Sequence, residues 1–191
     1  NKTGYVTKNV SHADFLAECL ADKCKSFDVI YTNPPWGKKL DKEEKLKVGR
    51  AFGADGSVDT CSLFLFACLK QLKQGGELGF LLPDSFFNIG TFESARLRSL
   101  ALQVTKLIDY DRPFKGLQTK AFGIVLKNTP VKQSGSIVLC KSQGNTFERR
   151  QRSFCKNPKS IINFQTEPAA AAVIEHLFTV PHITLGGKAK W

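Results

Sequence analysis

The sequence predicts an α/β fold in which a mostly parallel sheet is flanked by helices. Strand-like runs alternate along the chain with helix-like runs, and this alternation is typical of sheets whose strands are joined by helical crossovers. The 191 residues are 42% hydrophobic, which suffices for a packed core and argues against a disordered chain. No apolar run approaches the ~20 residues of a membrane span, so we expect no membrane partner.

The first half of the chain contains the clearest elements. Residues 27–32 (FDVIYT) are apolar and β-branched and predict a strand, which the following Asn-Pro-Pro ends. Residues 38–50 are charged and lack an apolar face, which indicates a loop or a solvent-exposed helix. Residues 57–72 predict a buried helix, for which Gly75 and Gly76 are expected to form the C-cap.

The same alternation continues to the end of the chain. Residues 77–82 predict a strand, residues 91–102 an amphipathic helix, and residues 104–110 another strand. Two further strand candidates and a last helix follow, over residues 121–127, 136–140 and 166–178.

Positive charge is concentrated in the second half of the chain. The 28 Lys and Arg outnumber the 17 Asp and Glu, for a formal net charge of +11. Residues 1–111 hold 15 basic and 14 acidic side chains, whereas residues 112–191 hold 13 and 3. Clustered cations displace counterions from phosphates, so Arg149, Arg150 and Arg152, the densest cluster, are predicted to bind a polyanion such as DNA. A basic surface that serves only solubility is the alternative.

The cysteines and histidines show neither metal-ligand spacing nor a nucleophilic triad. The six cysteines form no C-x-x-C pair, and the three histidines are isolated from one another. We therefore expect no metal, and free thiols in a reducing compartment such as the cytoplasm.

The most informative residues are Asn33, Pro34, Pro35 and Trp36, because they stand directly after a strand, where α/β sheets bind ligands. Consecutive prolines stiffen the loop and fix the direction of the Pro34 carbonyl. This carbonyl and the Asn33 side-chain oxygen can converge on one amino group, and Trp36 offers a flat apolar face. The arrangement suits an exocyclic amine on a planar base, although a simple turn with Trp36 in the core also fits.

This tetrapeptide resembles the catalytic signature of the γ-class adenine-N6 DNA methyltransferases of bacterial restriction–modification systems, which use S-adenosylmethionine. Other segments of the chain resemble the same family and follow in its order. They are Ala13-Asp14-Phe15, Gln71 to Gly76, Pro83-Asp84-Ser85, Leu97-Arg98 and Phe114. The resemblance implies a Rossmann-like methyltransferase domain that methylates the exocyclic amino group of adenine in DNA.

The resemblance also implies roles for the matching residues around the target base. Asn33 and the Pro34 carbonyl would accept the two amino hydrogens of the target adenine, with Pro35 in the same catalytic loop. Trp36 and Phe114 would stack on this base once it has left the duplex. The implied partner is therefore double-stranded DNA with a flipped adenine.

On the cofactor side, the resemblance assigns Asp14 to the adenine amino group of S-adenosylmethionine and Phe15 to the lining of the same pocket. The glycine-rich loop of the family has no counterpart before Ala13. We therefore expect a partial domain that is inactive by itself and that needs either an N-terminal half or a recognition subunit.

The expected domain organisation has two parts. Residues 1–130 form the C-terminal part of the catalytic domain, and residues 131–191 form a basic segment leading towards a target-recognition domain. The alternatives are an amino-methyltransferase for protein glutamine or ribosomal-RNA guanine, and a DNA-binding remnant without activity. The basic second half favours DNA over the first of these.

Overall fold

The computed structural model describes residues 10, 12–22, 26–37, 40–54, 59–116, 118–131, 135–177 and 179–181. Within them, six strands form one sheet: β1 (Phe27–Thr32), β2 (Leu72–Pro83), β3 (Leu102–Asp109), β4 (Ala121–Pro130), β5 (Ile137–Ser142) and β6 (Asn145–Arg150). The helices are α1 (Phe15–Leu20), α2 (Lys42–Phe52), α3 (Thr60–Gln71), α4 (Ser85–Asn88), α5 (Glu93–Leu100), α6 (Gln151–Cys155) and α7 (Pro168–Leu177). Short 3₁₀ helices span Gly90–Phe92 and Pro158–Ser160. None of the helices in this part of the chain has the length and apolar character to cross a bilayer.

The strands are arranged in the order β1-β2-β4-β3-β5-β6. β1 pairs with β2, and β3 with β5, in parallel, whereas β4 is antiparallel to both its neighbours and β6 is antiparallel to β5. The predicted α/β class is confirmed. The sheet is mixed: β1, β2, β3 and β5 run in one direction, and β4 and β6 run in the other. The connections from β3 to β4 and from β5 to β6 are too short for a helical crossover, so each returns the chain antiparallel.

The prediction that Gly75 and Gly76 form the C-cap of α3 is wrong. This helix ends at Gln71, and the chain passes directly into β2. Gly75 and Gly76 lie inside β2, where the register against β1 is interrupted by a bulge. Gly75 has a φ of +75°, and a Cβ on Gly76 would lie 2.9 Å from the Asp28 carbonyl oxygen. The two glycines therefore permit the bulge and the close approach of β2 to β1.

The charged segment after the first strand forms the helix α2 rather than a loop. Asp41 is its N-cap and accepts a 2.8 Å hydrogen bond from the Glu44 amide. Val48 and Phe52 are buried on the inner side of the helix. The helix ends at Gly53, whose φ of +68° is the left-handed conformation typical of a C-terminal cap.

Sequence analysis missed β6, which returns from β5 through a tight turn. The central residues of this turn, Gln143 and Gly144, have φ values of +50° and +79°. Positive φ at both positions matches the right-handed twist of the flanking strands.

The described residues beyond 130 pack onto the same core as the described residues before them. Phe164 contacts Phe87 and Phe122, with ring centroids 5.6 and 5.2 Å apart. These aromatic rings are almost fully buried. The described part of the basic segment is thus continuous with the sheet and its core.

Gln151 connects α6 to the beginning of β3. Its side chain is fully buried. Its Oε1 accepts a 3.0 Å hydrogen bond from the Val104 amide, and its Nε2 donates to the Leu100 and Leu102 carbonyls at 2.9 and 2.7 Å. A single side chain thereby satisfies three buried backbone groups.

We predict that Gln151→Leu destabilises the protein by about 3 kcal/mol, because one amide and two carbonyls lose their partners in a dry environment. Urea denaturation followed by circular dichroism measures the loss. Arg152→Gln changes an exposed neighbour and should alter the free energy of unfolding by less than about 0.5 kcal/mol. An unchanged midpoint for Gln151→Leu would contradict the assigned hydrogen bonds.

Candidate functional site

The segments of the site meet at one edge of the sheet. β1 and β2 are parallel, so residues 33–36 follow β1 at the edge where β2 ends at Pro83. β4 begins opposite Pro83, and the connection of residues 110–120 between β3 and β4 therefore lies at this edge too. Three connections are brought together although they are far apart in the sequence.

The first connection presents two hydrogen-bond acceptors and an aromatic ring. Pro34 is buried, Asn33 is exposed and Trp36 is half-buried. The Trp36 Nε1 donates to the Leu81 carbonyl at 3.3 Å, which holds the indole against the end of β2. Within the described part of the chain, neither the Asn33 side chain nor the Pro34 carbonyl has a hydrogen-bond partner. Neither acceptor is thus committed to another group in this part of the chain.

Trp36 and Phe114, the predicted stacking pair, lie next to each other. Their ring centroids are 5.8 Å apart and their planes are inclined by 76°, an edge-to-face contact. Sandwich stacking of a planar ring between Trp36 and Phe114 would need parallel ring planes, which the observed contact does not provide. Trp36 is held by its hydrogen bond to β2, whereas Phe114 belongs to the connection between β3 and β4.

Two cavities border the connection between β3 and β4. One, of about 820 Å³, contains all four residues of the predicted catalytic loop. The other, of about 420 Å³, lies over the sheet beside Tyr31 and Tyr110. Asn33 and Phe114 line both cavities. Asn33 and Phe114 are therefore shared by the walls of the two cavities.

The larger cavity also contains residues that sequence analysis did not assign to a site. They are Gly37, Asp59, Cys61, Pro83, Ser85, Phe92 and Thr119, whereas Phe114, which also lines the cavity, was predicted. Asp59 carried a recognisable signal, since it precedes α3 and accepts a 2.8 Å hydrogen bond from the Cys61 amide as its N-cap. Phe92 and Thr119 gave no signal, because only the fold brings them to this edge.

The cavity does not contain an activated thiol. Burial, and secondly the charge of Asp59, raise the pKa of Cys61 well above its usual range. The thiol is therefore protonated at neutral pH and is a poor nucleophile. Among the described residues, no group of three His, Cys, Asp or Glu side chains is placed to hold a metal ion.

Of the two predicted cofactor residues, Phe15 lines a separate cavity of about 430 Å³. This cavity extends along β1 from Phe27 to Thr32. The Phe15 ring stacks on Phe64 with centroids 5.8 Å apart. Asp14 caps α1, and its Oδ1 accepts a 3.1 Å hydrogen bond from the Ala17 amide. Asp14 is exposed, which leaves its other oxygen accessible.

The structure corrects the predicted contact of Arg149 with DNA. Its side chain is only 5% exposed. Its guanidinium donates to the Thr166 carbonyl at 2.8 Å and to the Ser153 hydroxyl at 3.2 Å, and it lies 3.7 Å from the Glu175 carboxylate. Burial lowers the pKa of Arg149, but the charge has partners inside the protein. Arg149 fixes α7 against β6 and is not accessible to a phosphate.

Arg150 and Arg152, in contrast, are exposed. Both line a cavity of about 360 Å³ between β6, α6 and α7, together with Lys156. Glu148 and Glu175 also line it, so negative charge lies close to the arginines.

Comparison with known proteins identifies the class to which this fold and site belong. The model of the Eco57I restriction-modification methylases matches residues 4–114, which is more than half of the chain. The chain therefore belongs to the Eco57I restriction-modification methylase family. The resemblance to restriction–modification methyltransferases predicted from the sequence is confirmed.

A relative of known class extends over nearly the whole chain. The Type II methyltransferase M.VspI of Vibrio sp. (strain 343) is 46% identical over 189 residues, which cover 98% of this chain and 46% of that protein. The chain thus spans about half the length of this relative.

Solved structures share the fold at low sequence identity. A protein assigned as a modification subunit of a type I restriction enzyme from Vibrio vulnificus YJ016 has a TM-score of 0.62 and 16% identity, over 84% of this chain and 43% of that one. A chain of a type I restriction–modification complex has a TM-score of 0.57 and 22% identity, over 71% of this chain and 28% of that one. These similarities concern the fold alone.

We predict that iodoacetamide at pH 8 alkylates exposed Cys155 at least about tenfold faster than Cys61, whose thiol is buried and kept protonated by its raised pKa. Mass spectrometry of tryptic peptides over time measures both rates in one sample. Labelling of Cys61 should increase in parallel with Cys155 only once the protein is unfolded in urea. Faster labelling of Cys61 in the native protein would indicate an activated thiol in the cavity.

Proposed function

We propose that the full-length protein containing this chain transfers a methyl group from S-adenosylmethionine to the exocyclic amino group of adenine in DNA. The observation that carries the proposal is the loop of residues 33–36, with two unpaired acceptors beside an aromatic pair, in a member of a restriction-modification methylase family. Two adjacent acceptors suit an amino group, and the aromatic rings suit a planar base.

The residues of the loop act on the amino nitrogen. The Asn33 Oδ1 and the Pro34 carbonyl accept its two hydrogens, which directs the nitrogen lone pair away from the ring plane. S-Adenosylmethionine supplies an electrophilic methyl group on a sulfonium. Trp36 stacks on the base, and such stacking contributes about 1–3 kcal/mol per base. Positioning of this kind accounts for much of the rate of a group transfer.

Asp14 and Phe15 fit the adenine end of this cofactor. The cavity beside Phe15 is lined mainly by apolar and aromatic side chains, which suits a planar ring. The accessible oxygen of Asp14 suits an amino group at the rim. In this arrangement Asp14 caps α1 with one oxygen and binds the cofactor with the other.

We propose that the rest of the full-length protein, or a recognition subunit, completes the cofactor pocket. β1 is the outermost described strand on this side, and Phe27, Val29 and Tyr31 are exposed along it. Apolar side chains in a row on an edge strand favour a covering segment. The 191 residues alone are then inactive. Residues 1–130 contribute to catalysis, and residues 131–191 lead towards target recognition.

Free cysteines are consistent with a protein of the bacterial cytoplasm, where its DNA substrate is also found.

Side-by-side assays with DNA, ribosomal RNA and a glutamine-containing protein test the substrate class directly. Methyl transfer to RNA or protein but not to DNA would contradict the proposal.

We predict that Asn33→Ala in the full-length protein lowers methyl transfer by at least about 100-fold, because an acceptor at the reacting nitrogen is removed. DNA affinity should stay within a few-fold of the parent. Tritium transfer from labelled cofactor measures the first quantity, and fluorescence anisotropy measures the second.

The matched control for this experiment is Asn88→Ala, which removes an exposed asparagine at the end of α4. This variant should retain turnover. Trp36→Ala should affect base flipping more than Asn33→Ala does, as measured with a fluorescent base analogue at the target position. Turnover of Asn33→Ala within a few-fold of the parent would eliminate the assigned role.

We predict that replacing Arg150 and Arg152 together with glutamine weakens DNA binding and lowers its log–log dependence on salt. The decrease should be about one unit for each phosphate that the protein no longer neutralises. Lys127→Gln is the control, because Lys127 lies opposite Glu77, at the end of β4 away from the site. An unchanged salt dependence in the double variant would mean that the glutamates beside these arginines already neutralise them.

A further inference from the structure

Arg96 is a fully buried cation whose donors point to backbone carbonyls. It is the largest of the fully buried side chains. Its Nη1 donates to the Phe86 carbonyl at 2.6 Å and to the Ile89 carbonyl at 2.8 Å. These carbonyls belong to the segment that follows β2 and borders the cavity of the candidate site.

The other side of the same guanidinium binds a segment far along the chain. Nη2 donates to the Lys159 carbonyl at 2.9 Å, and Nε lies 3.2 Å from the Ser160 carbonyl. Burial lowers the pKa of Arg96, so the protein bears a desolvation penalty to keep this charge inside. The planar guanidinium of an arginine has five N–H donors, so it is suited to joining two segments in a fixed geometry.

The segment held by Arg96 has a strained backbone. Lys159 and Ser160 both have a φ of +52°, a left-handed conformation that is uncommon for residues with side chains. Such a conformation persists only where its surroundings determine it, and here both carbonyls are directed inward to Arg96. The strain therefore fixes the side on which the Lys159 side chain emerges.

The Lys159 side chain lies over the segment that borders the candidate site. A Cβ built on Gly90 would lie 3.3 Å from the Lys159 Nζ, so the ammonium lies over Gly90. Gly90 is two residues before Phe92, which lines the same cavity as Trp36. Lys159 is exposed, and no carboxylate in the described part of the chain forms an ion pair with it.

We propose that Lys159 binds a phosphate of the DNA strand that carries the flipped target nucleotide, and that Arg96 is the residue that positions it. The inference rests on the proposed function. A nucleotide that enters the cavity brings its flanking phosphates to the rim, where an unpaired ammonium can neutralise one of them. Because Arg96 joins the Lys159 segment to the cavity wall, the backbone that carries this cation is fixed relative to the base pocket.

Lys159→Gln in the full-length protein tests the proposal. We expect DNA affinity to fall about fivefold at physiological salt, and the log–log salt slope to decrease by about one unit. Cofactor binding should be unchanged in calorimetry. Lys127→Gln, which removes a cation at the opposite end of the sheet, should change neither quantity.

Single neutral methylphosphonates placed along the target strand locate the contact. One substitution flanking the target should weaken binding by the parent protein and have no further effect on Lys159→Gln. If every methylphosphonate affects the two proteins equally, the proposal is wrong. A parent protein that neither binds nor methylates DNA would instead refute the proposed function, and the inference with it.

Arg96→Lys tests the positioning role, because it keeps the charge but removes the planar fork. We expect its DNA affinity to resemble that of Lys159→Gln, and the double variant to be no weaker than either single one. Additive losses of affinity in the double variant would show that Arg96 acts independently of Lys159. If Arg96→Lys does not fold, Lys159→Gln and the methylphosphonate series still decide the proposal.

Discussion

The placement of β4 between β2 and β3 is the constraint on which the site depends. Because β4 runs antiparallel to both neighbours, it has to begin at the edge where β1, β2 and β3 end. The connection before it must therefore lie over this edge, and this brings Phe114 against Trp36. A parallel strand in the same position would begin at the opposite edge and leave the loop of residues 33–36 without its aromatic partner.

Cations near each other in the sequence have different structural roles. Arg149 and Arg96 are buried and satisfied by carbonyls and hydroxyls, so they hold segments together. Arg150, Arg152 and Lys159 are exposed, and they lie close in the sequence to the segments that Arg149 and Arg96 hold. The net charge of the second half overstates the charge that a polyanion can reach, but the buried arginines determine where the exposed cations lie.

Sequence patterns predicted the elements whose signals are local. The strand of residues 27–32 has the predicted bounds, because its apolar run ends at an unambiguous breaker. Gly75 was assigned to a helix cap because glycine is common both in helix caps and in bulges. Only the pairing of β2 with β1 shows that it lies in a bulge. The turn before β6 was missed because Gln143, a residue with a side chain, adopts a positive φ. The burial of Arg149 depends on the docking of α7, which no local pattern encodes.

The contact between Trp36 and Phe114 has a consequence for the energetics of any stacked ligand. An edge-to-face aromatic pair is stabilised by about 1 kcal/mol beyond its buried area, so separating Trp36 from Phe114 costs about this much in addition to the area that it exposes. A ligand that needs the two rings apart binds more weakly by the free energy of separating them.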